Sequence, residues 1–207
     1  MTRIYITDIL NNYNLENFIG QLKNKINIDI NYKHKQTVVA WYLLLKLLEE
    51  RLDEKDILFD KNIYGKPFLI NNQYFFNISH SHKKVAVGIS DREIGIDIEK
   101  ILTPNLKISD KFFNKQERDF IFSDNDQLLI KKRFYIIWTL KESYLKHKGL
   151  GLKGGLNSFI VEIIKPDKIN LISDSNLSFK LKYKETDDYI LAYCGQDDCF
   201  EVIKEDI

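Results

Sequence analysis

Residues 93 to 100 read E-I-G-I-D-I-E-K. Isoleucines at 94, 96 and 98 alternate with Gly95, Asp97 and Glu99, and a strict period of two is the signature of a β-strand with one apolar and one polar face. Burying the isoleucines leaves Asp97 and Glu99 as neighbours on the opposite face, about 7 Å apart at their Cα atoms by strand rise. Two like charges held side by side repel. A hard divalent cation removes the repulsion, and Mg²⁺ is bound by one or two carboxylates together with substrate phosphates. Gly95 on the same face would let a bulky ligand approach the backbone closely. The plain alternative is an edge strand whose outer face is wet, which a bare D-x-E fits at least as well. A metal reading needs a third ligand.

The stretch F-Y-I-I-W-T-L-K-E-S-Y-L-K supplies one. Trp138, Glu142 and Lys146 recur every four residues and so line one helical face, with Lys141 beside the pair. Taken alone, Glu142 and Lys146 read as an exposed helical salt bridge worth about 0.2–0.5 kcal/mol. Taken with Asp97 and Glu99, they suggest three carboxylates and two lysines around a metal and a polyphosphate. A third segment, F-F-N-I-S-H-S-H-K-K (75–84), carries Ser79 and His80 directly after a strand. A hydroxyl, an imidazole and free backbone N–H groups in a turn there could hold a phosphate, although an ordinary turn histidine reads equally from the residues. Lys66, in the rigid Y-G-K-P bend, could reach a ligand or simply be a surface lysine.

The remaining chain reads as α+β. A strand at 3–7 precedes a mostly buried helix at 36–52, and strands follow at 74–78, 85–90 and 94–99, with S-D-R-E suggesting a tight hairpin between the last two. A helical stretch at 109–122 and a long helix at 126–148 come next, the latter stopped by G-L-G-L-K-G-G. Strands at 159–164, 177–183, 189–194 and 200–203 close the chain. This order fits two similar α+β halves, residues 1–100 and 101–207.

Charge and composition narrow the function. The formal net charge of +1 gives no global field for nucleic acid or a membrane surface. The longest apolar run, Val38 to Leu45, falls far short of the about 20 residues of a membrane-spanning helix. The first ten residues lack a signal-peptide pattern. The two cysteines, Cys194 and Cys199, form no metal-type cluster and fit a reducing cytoplasm.

G-K-P (65–67), F-N-I-S-H-S (76–81), I-G-I-D-I-E-K (94–100), F-F-N-K-Q-E (112–117), W-T-L-K-E-S-Y-L-K (138–146) and G-L-G-L with L-N-S-F (149–159) occur in this order. Together they resemble the Sfp-type 4′-phosphopantetheinyl transferases over most of the chain. The resemblance implies a pseudo-dimeric α+β monomer binding coenzyme A between its halves. It implies transfer of phosphopantetheine from coenzyme A to a serine of an apo acyl or peptidyl carrier protein, releasing adenosine 3′,5′-bisphosphate. Carried over by motif, Asp97, Glu99 and Glu142 would ligate Mg²⁺, and Ser79 and His80 would meet the 3′-phosphate. Lys66 would lie by the adenine nucleotide, Lys141 and Lys146 would contact phosphates, and Glu117 matches an acidic position near the family's site. The family often carries arginines at the start of the first long helix. Here Gln36 stands in their place, with Lys33 and Lys35 nearby as point charges without the bidentate fork.

The implied chemistry is attack by the carrier serine on the β-phosphorus. Glu142 is the expected base, acting directly or through a metal-bound water, and Lys146 stabilises or protonates the leaving phosphate. The 111–122 stretch and the K-K-R cluster at 131–133 are candidate carrier-docking surfaces. Two other readings remain: a metal-dependent phosphodiesterase using the same carboxylates, and a non-catalytic module that binds coenzyme A or carriers.

Overall fold

The structure is a computed structural model that describes residues 1–70, 73–172 and 179–207. In chain order the elements are β1 (Thr2–Asp8), α1 (Leu15–Lys25), α2 (Lys35–Glu49), β2 (Phe59–Lys61), β3 (Pro67–Leu69), β4 (Phe75–Ser81), β5 (Lys84–Ser90) and β6 (Ile94–Lys100). They continue with α3 (Lys107–Phe112), α4 (Lys115–Ile121), α5 (Gln127–Lys148), β7 (Ile160–Lys165), β8 (Lys168–Ile172), β9 (Lys180–Thr186), β10 (Tyr189–Gly195) and β11 (Phe200–Lys204). The fold is α+β. Among the described residues, no helix is long and apolar enough to cross a membrane.

Two sheets carry the architecture, in strand orders β11-β1-β5-β4 and β6-β10-β9. β11 runs parallel to β1, and the other neighbours in these sheets are antiparallel. The C-terminal strand thus completes the sheet begun by the N-terminal one, while β6 joins strands from the end of the chain. α2 covers the first sheet with Val39, Leu43, Leu44 and Leu48 fully buried, and α5 covers the second with Ile137 and Leu140. A third core lies between the sheets, where Ile94, Ile96 and Ile98 meet Ile4, Ile6 and Ala86. The isoleucine face of β6 is buried there, as its alternation predicts.

β6 does not hairpin with β5. Its chain partner is β10, and β6 instead runs beside β4, the end strand of the other sheet. No backbone ladder joins β4 to β6. The side chains of Asn77, Ser79 and Ser81, every second residue of β4, accept hydrogen bonds from the backbone N–H groups of Ile96 (2.8 Å), Ile98 (3.2 Å) and Lys100 (3.2 Å). A buried strand edge leaves N–H groups that cost free energy when unpaired. Here three polar side chains satisfy them, so the two sheets are laced along a seam. β4 therefore extends through Ser81, and Ser79 and His80 are strand residues paired with Ala86 and Val85 rather than members of a turn with free N–H groups.

Other boundaries differ locally. The helical stretch 109–122 divides into α3 and α4, because Asn114 starts a new helix through a capping box with Glu117. The helix at 36–52 ends at Glu49. α1 was not foreseen, although Asn14 caps it by accepting from the Asn17 N–H at 3.1 Å and Phe18 and Leu22 form its buried i, i+4 pair. The hairpins β2–β3 and β7–β8 were foreseen only in part, with β7 but not its partner. Residues 177 and 178 of the expected strand 177–183 lie outside the described residues.

α5 rests directly on β6 at Gly95. A Cβ on Gly95 would lie 2.0 Å from the Ser143 carbonyl oxygen and 2.2 Å from the His147 nitrogen. Gly95 therefore makes room for a helix backbone, not for a ligand, and this contact sets Glu142 and Lys146 above the carboxylate face of β6. We expect Gly95→Ala to cost at least about 3 kcal/mol, since backbone must move to admit the methyl group. Gly20, exposed in α1 with nothing within 4 Å of its would-be Cβ, should gain about 0.5–1 kcal/mol on replacement by Ala. Urea denaturation of the two variants checks both values.

Candidate active site

Residues of six elements, α2, β2, β3, β4, β6 and α5, converge on one cavity of about 540 Å³. β6 contributes Asp97 and Glu99, β4 contributes Ser79 and His80, α5 contributes Trp138, Glu142 and Lys146, and α2 contributes Thr37 and Trp41. The helical row Trp138, Glu142, Lys146 faces the strand carboxylates, as the four-residue spacing predicts.

Asp97 is buried, and its Oδ1 accepts from Lys146 Nζ at 2.7 Å and from Ser79 Oγ at 2.7 Å. Lys146 also donates to Ser79 Oγ at 2.8 Å. The Ser79 hydroxyl thus gives its one proton to Asp97 and takes two donors, Lys146 and the Ile98 N–H. Its hydrogen-bonding capacity is filled. Glu99 accepts from Ser81 Oγ at 2.7 Å and from the Trp138 side chain. His80 stands exposed on the wall of the cavity, and partial desolvation, followed by the Lys146 charge, holds its imidazole below the usual range.

The electrostatics are unbalanced. Three carboxyl groups share one ammonium, that of Lys146. Burial first, and the Asp97 charge second, push Glu99 up to about 7, against the pull of Ser81, Lys146 and Trp138. The same two causes raise Glu142, with Lys146 opposing. Two buried carboxyl oxygens, Asp97 Oδ2 and Glu142 Oε1, have no hydrogen-bond partner. Such atoms are costly unless something positive reaches them. Among the described residues, no group of three or more His, Cys, Asp or Glu stands at spacing that could by itself hold a metal. Mg²⁺ does not require one, because it keeps waters and takes substrate phosphate oxygens beside one or two carboxylates. The residues present therefore fit a magnesium ion that shares its coordination with a phosphorylated ligand.

Several expected site residues are elsewhere. Lys141 does not face the cavity. Its side chain is 0% exposed, paired with an equally buried Glu117, and it donates to the Phe159 carbonyl at 2.7 Å. Lys141 follows Leu140 into the C-terminal core, one residue off the row that holds Glu142, so contact with a phosphate is excluded in this arrangement. Glu117 is likewise structural: it accepts from the N–H groups of Asn114 (2.7 Å) and Val161 (2.8 Å), tying α4 to β7 and α5. Lys66 directs its ammonium to the carbonyls of Ile94 (3.1 Å) and His147 (3.3 Å), and burial lowers its pKa. It lines a separate cavity of about 220 Å³, while its neighbours Gly65 and Pro67 line the large one. Gly65, at φ 87°, gives the bend that turns these two toward the site. Gln36 donates weakly to the His82 carbonyl at 3.5 Å, and Lys35 donates to the Leu10 carbonyl at 2.7 Å.

Thr37 and Trp41 also line the cavity and Ser81 bonds Glu99, although none of the three is a candidate from the sequence. Trp41 looks like any buried helix residue. Ser81 had a signal, the period-two row of polar side chains at 77, 79 and 81 in an otherwise apolar strand.

A profile of the 4′-phosphopantetheinyl transferase superfamily matches residues 93–194, the span that holds Asp97, Glu99, Glu142 and Lys146. The chain is 36% identical over 149 residues to the 4′-phosphopantetheinyl transferase Sfp of Bacillus subtilis (strain 168), covering 70% of this chain and 66% of that protein. It is 40% identical over 127 residues to the 4′-phosphopantetheinyl transferase gsp of Aneurinibacillus migulanus, covering 61% and 52%. It is 32% identical over 175 residues to the 4′-phosphopantetheinyl transferase ffp of Bacillus subtilis, covering 79% and 77%. The chain thus spans between half and two thirds of the length of the first two relatives.

The raised Glu99 makes a stability prediction for the metal-free protein. The folded state holds a proton that the unfolded chain, with its ordinary glutamate, releases at lower pH. The contribution of Glu99 is therefore full below its ordinary value and is lost as pH rises through about 7. In EDTA the Tm should fall between about pH 5 and about pH 8. Glu99→Gln should flatten that slope and raise the Tm at the alkaline end. Calorimetric scans across this range test it.

Proposed function

The chain belongs to the 4′-phosphopantetheinyl transferases, and from that premise we propose that it transfers the 4′-phosphopantetheine group of coenzyme A to a serine hydroxyl of an apo acyl or peptidyl carrier protein. The observation that carries this reading is the pair of buried, unpartnered carboxyl oxygens on Asp97 and Glu142, beside Lys146 in a cavity large enough for a nucleotide. Asp97, Glu99 and Glu142 would hold Mg²⁺. That ion, when bound, supplies positive charge to diphosphate oxygens.

The protein's own groups do the rest. Glu142, held above the ordinary carboxyl range by burial and by Asp97, accepts the proton of the attacking serine with one oxygen. Its raised basicity suits that task near neutral pH. Lys146 spends two donors on Asp97 and Ser79 and keeps the third for a phosphoryl oxygen, where it stabilises charge growing on the leaving adenosine 3′,5′-bisphosphate. His80 contributes an imidazole toward the 3′-phosphate, while the Ser79 hydroxyl, whose only proton is spent on Asp97, braces Asp97 and Lys146 instead of meeting the phosphate. Gly65 and Pro67, rather than the Lys66 ammonium, form the wall beside the adenine.

A carrier protein with an acidic helix would meet α3 and α4, where Leu102, Leu106 and Phe122 are exposed. The K-K-R cluster is the poorer surface, because Lys132 pairs with Glu185 and Arg133 bonds Ser123. The strand exchange that lets β11 complete the first sheet and β6 the second supports a monomer built as a pseudo-dimer of residues 1–100 and 101–207. We place it in the cytoplasm, where coenzyme A and apo carriers meet, with neither nucleic acid nor membrane as partner.

The test is incubation with coenzyme A, Mg²⁺ and a panel of apo carrier proteins, read by intact-protein mass spectrometry. The expected result is one phosphopantetheine on the carrier serine. Asp97→Ala and Glu142→Gln should each lower kcat at least about 100-fold without unfolding the chain, and Lys146→Ala should lower kcat more than it raises KM for coenzyme A. Cleavage of coenzyme A with no carrier modified would instead identify a phosphodiesterase. Tight coenzyme binding without turnover on any carrier would identify a binding module.

A further inference from the structure

We propose that Ser81 is a positioning residue that fixes the Glu99 carboxylate in register with Asp97, using a bond that also holds the seam between the two sheets. The inference rests on the reading that Glu99 faces a divalent cation.

The seam has three rungs with one difference between them. At each rung a β4 side chain accepts from a β6 N–H: Asn77 from Ile96, Ser79 from Ile98 and Ser81 from Lys100. The two serines do more. Each passes its own proton to the carboxyl group of the residue before the N–H it accepts, Ser79 to Asp97 at 2.7 Å and Ser81 to Glu99 at 2.7 Å. Asn77 reaches no carboxyl group and serves the backbone alone.

A hydroxyl suits this double task because it carries one proton and two lone pairs at short reach. At Ser81 the proton goes to Glu99, and the oxygen accepts from Lys100 N–H and lies 3.3 Å from His82 Nδ1. With that proton committed, the imidazole must be the donor in the last contact. Ser81 is buried, so no water readily substitutes for it. Asp97 is held twice, by Ser79 and by Lys146. Glu99 has no lysine on it, and its partners are Ser81 and the Trp138 side chain. Loss of the Ser81 hydroxyl therefore frees one oxygen of Glu99 to rotate away from the cavity, and it releases the Lys100 amide from the seam at the same time. Groups that orient metal ligands in this way are worth roughly 10- to 100-fold in metal affinity.

The experiment titrates the full chain with Mn²⁺ in the presence of coenzyme A, following free Mn²⁺ by electron paramagnetic resonance, and measures amide exchange at Lys100 by NMR. We expect Ser81→Ala to weaken Mn²⁺ at least about tenfold and to speed exchange of the Lys100 amide. Ser81→Thr, which keeps the hydroxyl, should restore both. Asn77→Ala should lower stability while leaving Mn²⁺ affinity unchanged, which separates positioning from the mere loss of a rung. Should Ser81→Ala fail to fold, Ser81→Cys, a feeble donor of similar size, takes its place. Wild-type Mn²⁺ affinity in the Ser81 variant, with affinity lost in Glu99→Gln, overturns the role of Ser81 alone. Wild-type affinity in Glu99→Gln overturns the assignment of Glu99 to the cation, and the role of Ser81 with it.

Discussion

Everything at the site depends on how β4 meets β6. Two buried strand edges face each other, and neither offers its backbone carbonyls to the other. Asn77, Ser79 and Ser81 supply the acceptors instead. A backbone ladder would have filled the same N–H groups, but it would have left no side-chain protons for Asp97 and Glu99. Through the two serine hydroxyls of this seam, the chain joins its two sheets and orients two carboxyl groups with the same atoms. The contact of α5 with Gly95 then brings a third carboxyl group and an ammonium over them.

The cost of this arrangement is visible in its charges. Burial and mutual repulsion raise Glu99 and Glu142, and two carboxyl oxygens are left without partners. A protein rarely keeps such groups in its interior unless a ligand completes them. The chain could neutralise them with another lysine, and it has one close in sequence. Lys141 is committed instead to Glu117, in a fully buried pair that braces α4, β7 and α5. The site is thus left short of positive charge while the scaffold around it is closed, a deficit that the proposed magnesium ion would offset.

The periodic parts of this account were legible in the sequence. The isoleucines of β6 and the row Trp138, Glu142, Lys146 on α5 declare their faces through periods of two and four, because each face is fixed by one element's geometry. Sheet partners are not local in this way. The turn S-D-R-E reads as a hairpin, yet β6 leaves β5 for β10, since its isoleucines are buried between sheets rather than along one. The same limit explains Lys66 and Lys141. Both sit in motifs beside residues that line the cavity, and only the tertiary arrangement decides that the Lys66 ammonium binds the carbonyls of Ile94 on β6 and His147 near the end of α5 and that Lys141 enters the core. Helical period does offer a hint for Lys141, which lies about 100° around the helix from Glu142. The alternation of Asn77, Ser79 and Ser81 was readable as one polar face of a strand; what that face does required seeing β6 beside it.

The central proposal is that β6 and a turn of α5, from distant parts of the chain, present Asp97 and Glu142, with Glu99 beside them, to one cation. Crystals grown with Mn²⁺ and coenzyme A, measured at a wavelength where manganese scatters anomalously, address it directly. The account predicts an anomalous peak at ligating distance, about 2.0–2.2 Å for an ion of this kind, from Asp97 Oδ2 and Glu142 Oε1, with a coenzyme phosphate oxygen on its open side. A peak away from these atoms, or Glu142 left unliganded with the ion and coenzyme both bound, would contradict it.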